Sequence, residues 1–87
     1  MRPPVEIARV WRALYGDDPS DGKRSAPMQY RVTCPFHADR NPSCDVSISK
    51  DTFICRSCGA AGGVLDLVMR ELACEHAEAR AWIAAHT

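Results

Sequence analysis

Two short pairs of potential metal ligands constrain this chain more than any other feature of its sequence. Cys34 and His37 are separated by two residues, Cys55 and Cys58 likewise, and 17 residues lie between the pairs. A two-residue gap lets a tight turn point both side chains at one ion, and two such turns complete the tetrahedron of a structural zinc site. Gly59 can adopt the left-handed conformation that closes the second turn. The spacing therefore predicts one structural Zn²⁺ held by these four side chains.

The residues between the two pairs predict how the pairs meet. Cys44 and Val46 alternate with polar residues, as expected of a half-buried strand. Lys50 and Asp51 then read as the two-residue turn of a hairpin, whose second strand is the segment 52–55. This hairpin is expected to bring the second pair back to the first.

The five cysteines of this 87-residue chain also permit a disulfide scaffold. However, the sequence begins without the apolar segment of a signal peptide, and no stretch approaches the ~20 apolar residues of a membrane span. We therefore expect a cytoplasmic location, reduced thiols and no membrane association.

Other roles for the cysteines are less consistent with the pattern. A redox role for Cys55 and Cys58 calls for a parallel-sheet context that the sequence lacks, and four good ligands leave no open position for catalytic zinc. Cys44 competes as a ligand, but its alternation with Val46 predicts a small core residue. Cys74 is expected to be buried packing at a helix junction.

The hydrophobic pattern predicts one small α+β domain over residues 1–87. An antiparallel zinc ribbon is expected to pack with one N-terminal helix and two C-terminal helices. The expected segments are a helix over 4–15, a flexible loop rich in Gly, Pro, Ser and Asp over 16–27, the ribbon over 28–58 and a helical pair over 63–86.

Longer motifs resemble a known family. The segments CPFHADRNPSCDVS, FICRSCGAAGGVLDLVM and EHAEARAWIA resemble the zinc-binding domain at the N-terminus of bacterial DnaG-type primases and of related phage and plasmid primases. The resemblance runs from about Tyr30 to Ala84 and places the zinc ligands on the same four residues. It implies a module that recognises single-stranded template DNA during primer initiation, with a catalytic domain in cis or in trans.

Charge indicates that any such DNA binding is local and weak. Lys plus Arg equals Asp plus Glu at 11 each, so the chain has no overall positive field. The candidate contacts implied by the resemblance are four cations of the ribbon, namely Arg31, Arg40, Lys50 and Arg56. Three aspartates in the same segment oppose their charge. The alternative is a zinc ribbon that docks onto another protein of a replication or mobile-element complex without touching DNA.

The sequence predicts no catalytic centre. Nucleotidyl transfer needs divalent ions held by converging carboxylates. The only dense acidic run, Asp17, Asp18 and Asp21, lies in a Gly-, Pro- and Ser-containing segment and is expected to be a solvated turn. An active primase would therefore take its catalytic residues from another domain or chain.

Overall fold

The computed structural model describes residues 5–36 and 41–87, which form a five-stranded antiparallel sheet and three α-helices. The strands lie side by side in chain order. The predicted α+β arrangement is confirmed. The elements are α1 (Ile7–Tyr15), a 3-10 turn (Pro19–Asp21), β1 (Lys23–Ala26), β2 (Gln29–Val32), β3 (Cys44–Ser47), β4 (Thr52–Cys55), β5 (Ala61–Gly63), α2 (Val64–Leu72) and α3 (His76–His86).

The core lies between one face of the sheet and the three helices. Val46 of β3 and Phe53 of β4 pack with Ile7 and Val10 of α1 and Leu67 of α2. Each of these side chains is at most 2% exposed, so their burial supplies the main apolar stabilisation of the domain. Among the described residues, no helix is long and apolar enough to cross a membrane.

The interpretation of residues 16–27 as a flexible loop is wrong for residues 19–26, which form the 3-10 turn and β1. Asp18 accepts a hydrogen bond from the backbone N–H of Ser20 (2.9 Å) and so caps the 3-10 turn. Most side chains of β1 are exposed, so the strand has no hydrophobic alternation to reveal it. A Cβ on Gly22 would lie 2.5 Å from the carbonyl oxygen of Arg31, so glycine permits this close approach to β2.

The turn of the central hairpin is longer than predicted. β3 ends at Ser47 and β4 begins at Thr52, so four residues connect the strands instead of two. Asp51 adopts a left-handed φ of 54° in this connection. Its Oδ1 accepts a hydrogen bond from the backbone N–H of Ile7 (2.9 Å), which satisfies one of the unpaired donors at the start of α1. The hairpin turn therefore caps a helix that is distant in sequence.

The two C-terminal helices are confirmed, with the chain break at residues 73–75 where the pattern predicted it. The short strand β5 before them was not predicted, because Ala61–Gly63 carries almost no side chain to form a pattern. Asp66 accepts a hydrogen bond from the backbone N–H of Gly63 (3.0 Å). A Cβ on Gly62 would lie 2.5 Å from the Asp66 side chain, so this tight strand-to-helix junction requires glycine.

Candidate metal centre and nucleic-acid interface

The structure brings three of the four predicted metal ligands together. The Sγ atoms of Cys34, Cys55 and Cys58 all lie within 4.8 Å of one another. The Sγ atoms of Cys34 and Cys58 are 3.7 Å apart. Zn–S bonds of ~2.3 Å at tetrahedral angles require a sulfur–sulfur distance of about 3.8 Å. The three sulfur atoms are therefore spaced as zinc ligands are.

Local backbone hydrogen bonds set this spacing. After β4, the backbone N–H of Cys55 donates to the carbonyl of Ala60 (2.7 Å), and that of Gly59 donates to the carbonyl of Cys55 (3.0 Å). Gly59 has a φ of 79°, which confirms the predicted left-handed conformation. In the first turn, the backbone N–H of Phe36 points at Cys34 Sγ (3.5 Å), a contact that favours a thiolate.

The electrostatics of the cluster call for a cation. Burial is the largest cause that raises the pKa of the Cys34 thiol, and with the neighbouring Cys55 and Cys58 it brings the pKa to about 12 despite the opposing N–H of Phe36. Thiolates are the form that binds metal, and a bound divalent cation stabilises them enough to deprotonate the thiols. Sulfur donors in this spacing fit zinc, which is the structural cofactor of this site.

The remaining sequence-predicted ligand lies outside the described residues, as does one predicted DNA contact. His37 as fourth ligand and Arg40 as a cation of the interface therefore stay predictions. Cys44 is completely buried on the core side of β3, which confirms its predicted place in the core, and Cys74 packs half-buried against that core.

Aromatic contacts join the first cysteine turn to the core. The ring of Phe36 lies 5.8 Å from that of Phe53 in β4, and the guanidinium of Arg70 in α2 lies 5.6 Å above Phe36. A cation within about 6 Å of an aromatic ring is attracted to its face. The sequence pattern did not predict these contacts, because they join residues that lie far apart along the chain, 34 positions in the case of Phe36 and Arg70.

The second candidate site is the face of the sheet opposite the core, here called the open face. Cross-strand pairing places Lys23, Arg31, Asp45 and Ile54 in one row across β1 to β4. Directly paired residues point to the same side, and the neighbouring residues Val46 and Phe53 point into the core. Ile54 is 51% exposed, so this face presents an apolar side chain beside charged ones.

Asp45 lies at the centre of the open face and is only 3% exposed. Its Oδ1 accepts from Arg31 Nε (3.0 Å) and Ser25 Oγ (3.1 Å), and its Oδ2 accepts from Arg56 Nε (3.0 Å). Burial raises the pKa of Asp45, but the hydrogen bonds from Arg31, Arg56 and Ser25 outweigh it and hold the pKa below its usual range. The carboxylate is therefore ionised at neutral pH and paired with both arginines.

The three predicted cations that lie among the described residues thus fall into two places. Arg31 and Arg56 meet at Asp45, whereas Lys50 lies in the exposed hairpin turn, at the end of the hairpin away from Cys44 and Cys55. Sequence reasoning missed Lys23, which sits opposite Arg31. It also missed that Asp45 contacts both arginines, because only the strand register reveals which residues are neighbours.

Comparison with known proteins identifies a family and several relatives of this chain. Residues 22–87 match the CHC2 zinc finger family, the zinc ribbon of DnaG. The chain is 38% identical over 55 residues to a DNA primase of Neisseria meningitidis, covering 63% of this chain and 9% of that one. It is 41% identical over 77 residues to the Gene 58 protein of Mycobacterium phage D29, covering 84% of this chain and 55% of that one.

A solved structure agrees. The crystal structure of the zinc-binding and RNA polymerase domains of the Aquifex aeolicus primase matches with a TM-score of 0.64 and 28% identity. The match covers 90% of this chain and 21% of that one. This chain thus spans a small part of the primases it matches. Together, the three-cysteine cluster, the fold and the family match over residues 22–87 show that the chain belongs to the CHC2 zinc finger family of DnaG-type primases.

Proposed function

We propose that this chain is the module of a DNA primase that recognises the single-stranded template during primer initiation. The observation that carries the proposal is the open face, on which Lys23, Arg31 and Arg56 lie on the same side of the sheet as the exposed Ile54. Surfaces that bind single strands without sequence readout combine cations for the phosphates with side chains on which bases pack. The open face offers both, although an aliphatic side chain stands where an aromatic would stack more strongly.

The binding is expected to be weak. Three cations of the open face are opposed by the carboxylate of Asp45, which leaves an excess of about two positive charges there. Each phosphate contact to a single strand contributes ~0.7 to the slope of log affinity against log salt. Two to three contacts therefore give an expected slope between about −1.4 and −2.1, shallower than that of a highly basic protein.

A salt titration tests the proposed function. The zinc-loaded chain is titrated against a fluorescein-labelled oligodeoxythymidylate at several salt concentrations, and fluorescence anisotropy reports binding. The proposal expects binding that weakens with salt at the slope given above. Lack of binding at low salt, with the zinc content intact, would contradict it.

We further infer that the chain makes no primer by itself. Asp18 of the acidic run caps the 3-10 turn and pairs with Arg12, so this carboxylate already has protein partners. The matched Aquifex structure has an RNA polymerase domain in addition to its zinc-binding domain. By analogy, the catalytic carboxylates for this module reside in a domain fused to it or in another chain.

A priming assay tests this division of labour. Single-stranded template and nucleotides are incubated with this chain, with a primase catalytic domain, and with both. Primer is expected only when the catalytic domain is present, and in larger amount when the zinc-loaded chain is added. Primer made by the purified chain alone, and lost in Asp17→Asn with Asp18→Asn, would contradict the inference.

The second candidate function is a module that docks onto another protein. The exposure of Ile54 and Met28, each 51% exposed, favours it, because exposed apolar side chains can pack against a partner. Binding to a replication protein that is insensitive to salt, together with no DNA binding, would support docking instead.

A further inference from the structure

The hydrogen bonds of Asp45 suggest a second role for this residue. Four donors converge on its carboxylate: Arg31 Nε (3.0 Å), Arg31 Nη2 (3.4 Å), Arg56 Nε (3.0 Å) and Ser25 Oγ (3.1 Å). These donors come from β1, β2 and the position directly after β4, whereas Asp45 itself lies in β3. A single buried carboxylate therefore fixes two guanidinium groups from opposite sides.

Each guanidinium retains further donors. A guanidinium carries five N–H donors, and Asp45 engages Nε and Nη2 of Arg31 but only Nε of Arg56. Among the described residues, no other hydrogen-bond acceptor contacts either group. The side chain of Arg56 is 68% exposed and that of Arg31 is 38% exposed, whereas Asp45 lies beneath them at 3%. The two groups can therefore bind an external anion while Asp45 holds them.

We propose that Asp45 is a positioning residue that holds Arg31 and Arg56 as a paired binding site for a backbone phosphate of single-stranded DNA. The proposal rests on the proposed function above. Guanidinium groups bind phosphate oxygens through paired N–H donors, so their orientation affects affinity as well as their charge. The two guanidinium groups repel one another, and the carboxylate between them offsets that repulsion.

The negative charge of Asp45 itself acts in the opposite direction. It weakens attraction to a phosphate, so charge alone predicts tighter DNA binding when Asp45 is neutralised. A phosphate on these two arginines lies within the ~10 Å screening length of Asp45 at ~0.1 M salt, so screening reduces this effect only in part. Ordering two long side chains upon binding lowers affinity by about threefold to tenfold for each. In a variant without the Asp45 charge, the loss of positioning is therefore expected to weaken DNA binding more than the loss of the negative charge strengthens it.

The test compares two substitutions that change the net charge equally. Asp45→Asn removes the carboxylate between the arginines, whereas Asp17→Asn removes an exposed carboxylate outside the sheet, between α1 and the 3-10 turn. Anisotropy with labelled oligodeoxythymidylate at ~0.1 M salt is expected to show binding about fivefold to tenfold weaker for Asp45→Asn, and within about twofold of wild type for Asp17→Asn. Binding by Asp45→Asn as tight as wild type, or tighter, would overturn the proposal.

Lysine substitutions at the two arginines test whether the orientation of the guanidinium groups matters beyond their charge and beyond any effect on folding. Arg31→Lys and Arg56→Lys keep the charge but remove the planar array of N–H donors. Binding about threefold weaker or more is expected for each, with the zinc content and circular dichroism of wild type. If Asp45→Asn does not fold, unchanged binding by both lysine variants would overturn the proposal.

The same experiment distinguishes this proposal from the one on which it depends. If the wild-type chain binds the oligonucleotide but the asparagine and lysine variants bind equally well, only the positioning role is wrong. If the wild-type chain does not bind, the proposed function fails, and the positioning role fails with it.

Discussion

Two neighbouring residues of β3 are both buried, but for different reasons. Val46 is 0% exposed because the helices cover the core face, whereas Asp45 is 3% exposed because Arg31 and Arg56 cover it on the open face. Apolar burial stabilises the fold directly, while a buried ion pair roughly balances desolvation against attraction. The difference indicates that the core face maintains the fold, and we propose that the open face is organised for a ligand.

The largest expected effect is the loss of zinc. Zinc binding in finger peptides contributes ~10–16 kcal/mol, as much as the ~5–15 kcal/mol by which an ordinary domain is stable. Chelation is therefore expected to unfold the ribbon and so abolish both faces together. Metal analysis with circular dichroism during a chelator titration checks this. A chain that keeps its sheet signal without metal would refute the prediction.

Substitution of each candidate ligand sorts the cysteines by role. Serine at Cys34, Cys55 or Cys58, or alanine at His37, is expected to release zinc, because each removes one of four ligands. Cys44→Ala is expected to keep zinc and to lose only packing energy, less than the ~2–5 kcal/mol of a Leu→Ala change.

The matched control is Cys74→Ala, which changes a cysteine outside the three-sulfur cluster. It is expected to keep its zinc as well. Loss of zinc in Cys44→Ala, or full zinc content in His37→Ala, would show that the ligands are assigned wrongly. Metal content of each purified variant is the measurement.

Adjacent residues of β4 compare the two faces directly. Phe53 is 2% exposed in the core, and Ile54 is 51% exposed on the open face. Phe53→Ala is expected to lower the free energy of unfolding by ~3–5 kcal/mol. Ile54→Ala is expected to change it by less than ~0.5 kcal/mol, typical of surface positions, and to weaken DNA binding. Urea denaturation of both variants measures this, and equal destabilisation would contradict the contrast between the faces.

The smallest expected effect compares two ion pairs. Arg12 pairs with Asp18 at the surface, so Arg12→Ala is expected to lower the free energy of unfolding by less than ~1 kcal/mol. Arg31→Ala leaves the buried Asp45 with fewer donors, and a loss of about 1–2 kcal/mol is expected after allowance for solvent around Arg31. Denaturation of both variants checks the order, and a larger loss for Arg12→Ala would reverse it.

The sequence was informative where the signal is local. Ligand spacing predicted the cysteine cluster, and hydrophobic periodicity predicted α1, β3, β4 and the two C-terminal helices. β1 and β5 were missed because exposed residues and glycines produce no pattern. The cap that Asp51 provides to α1 was also missed, since it joins residues 44 positions apart.

The same reason explains why the open face was only partly predicted. Arg31 and Arg56 were identified as candidate contacts by their charge, but Asp45 was counted only as an opposing charge. Its contacts with both arginines depend on the register of β2, β3 and β4, which is a property of the folded sheet. The opposition of Lys23 and Arg31 depends in the same way on β1.

The most direct test of the central claim is to map where single-stranded DNA touches the protein. Backbone amide NMR spectra of the zinc-loaded, isotope-labelled chain are recorded during titration with oligodeoxythymidylate. The account predicts that the largest shift changes cluster on the open face, at Lys23, Arg31, Ile54 and Arg56, and that the helical side at Arg9 and Arg80 is unaffected. Changes confined to the helical side, or none at a saturating concentration of DNA, would contradict it.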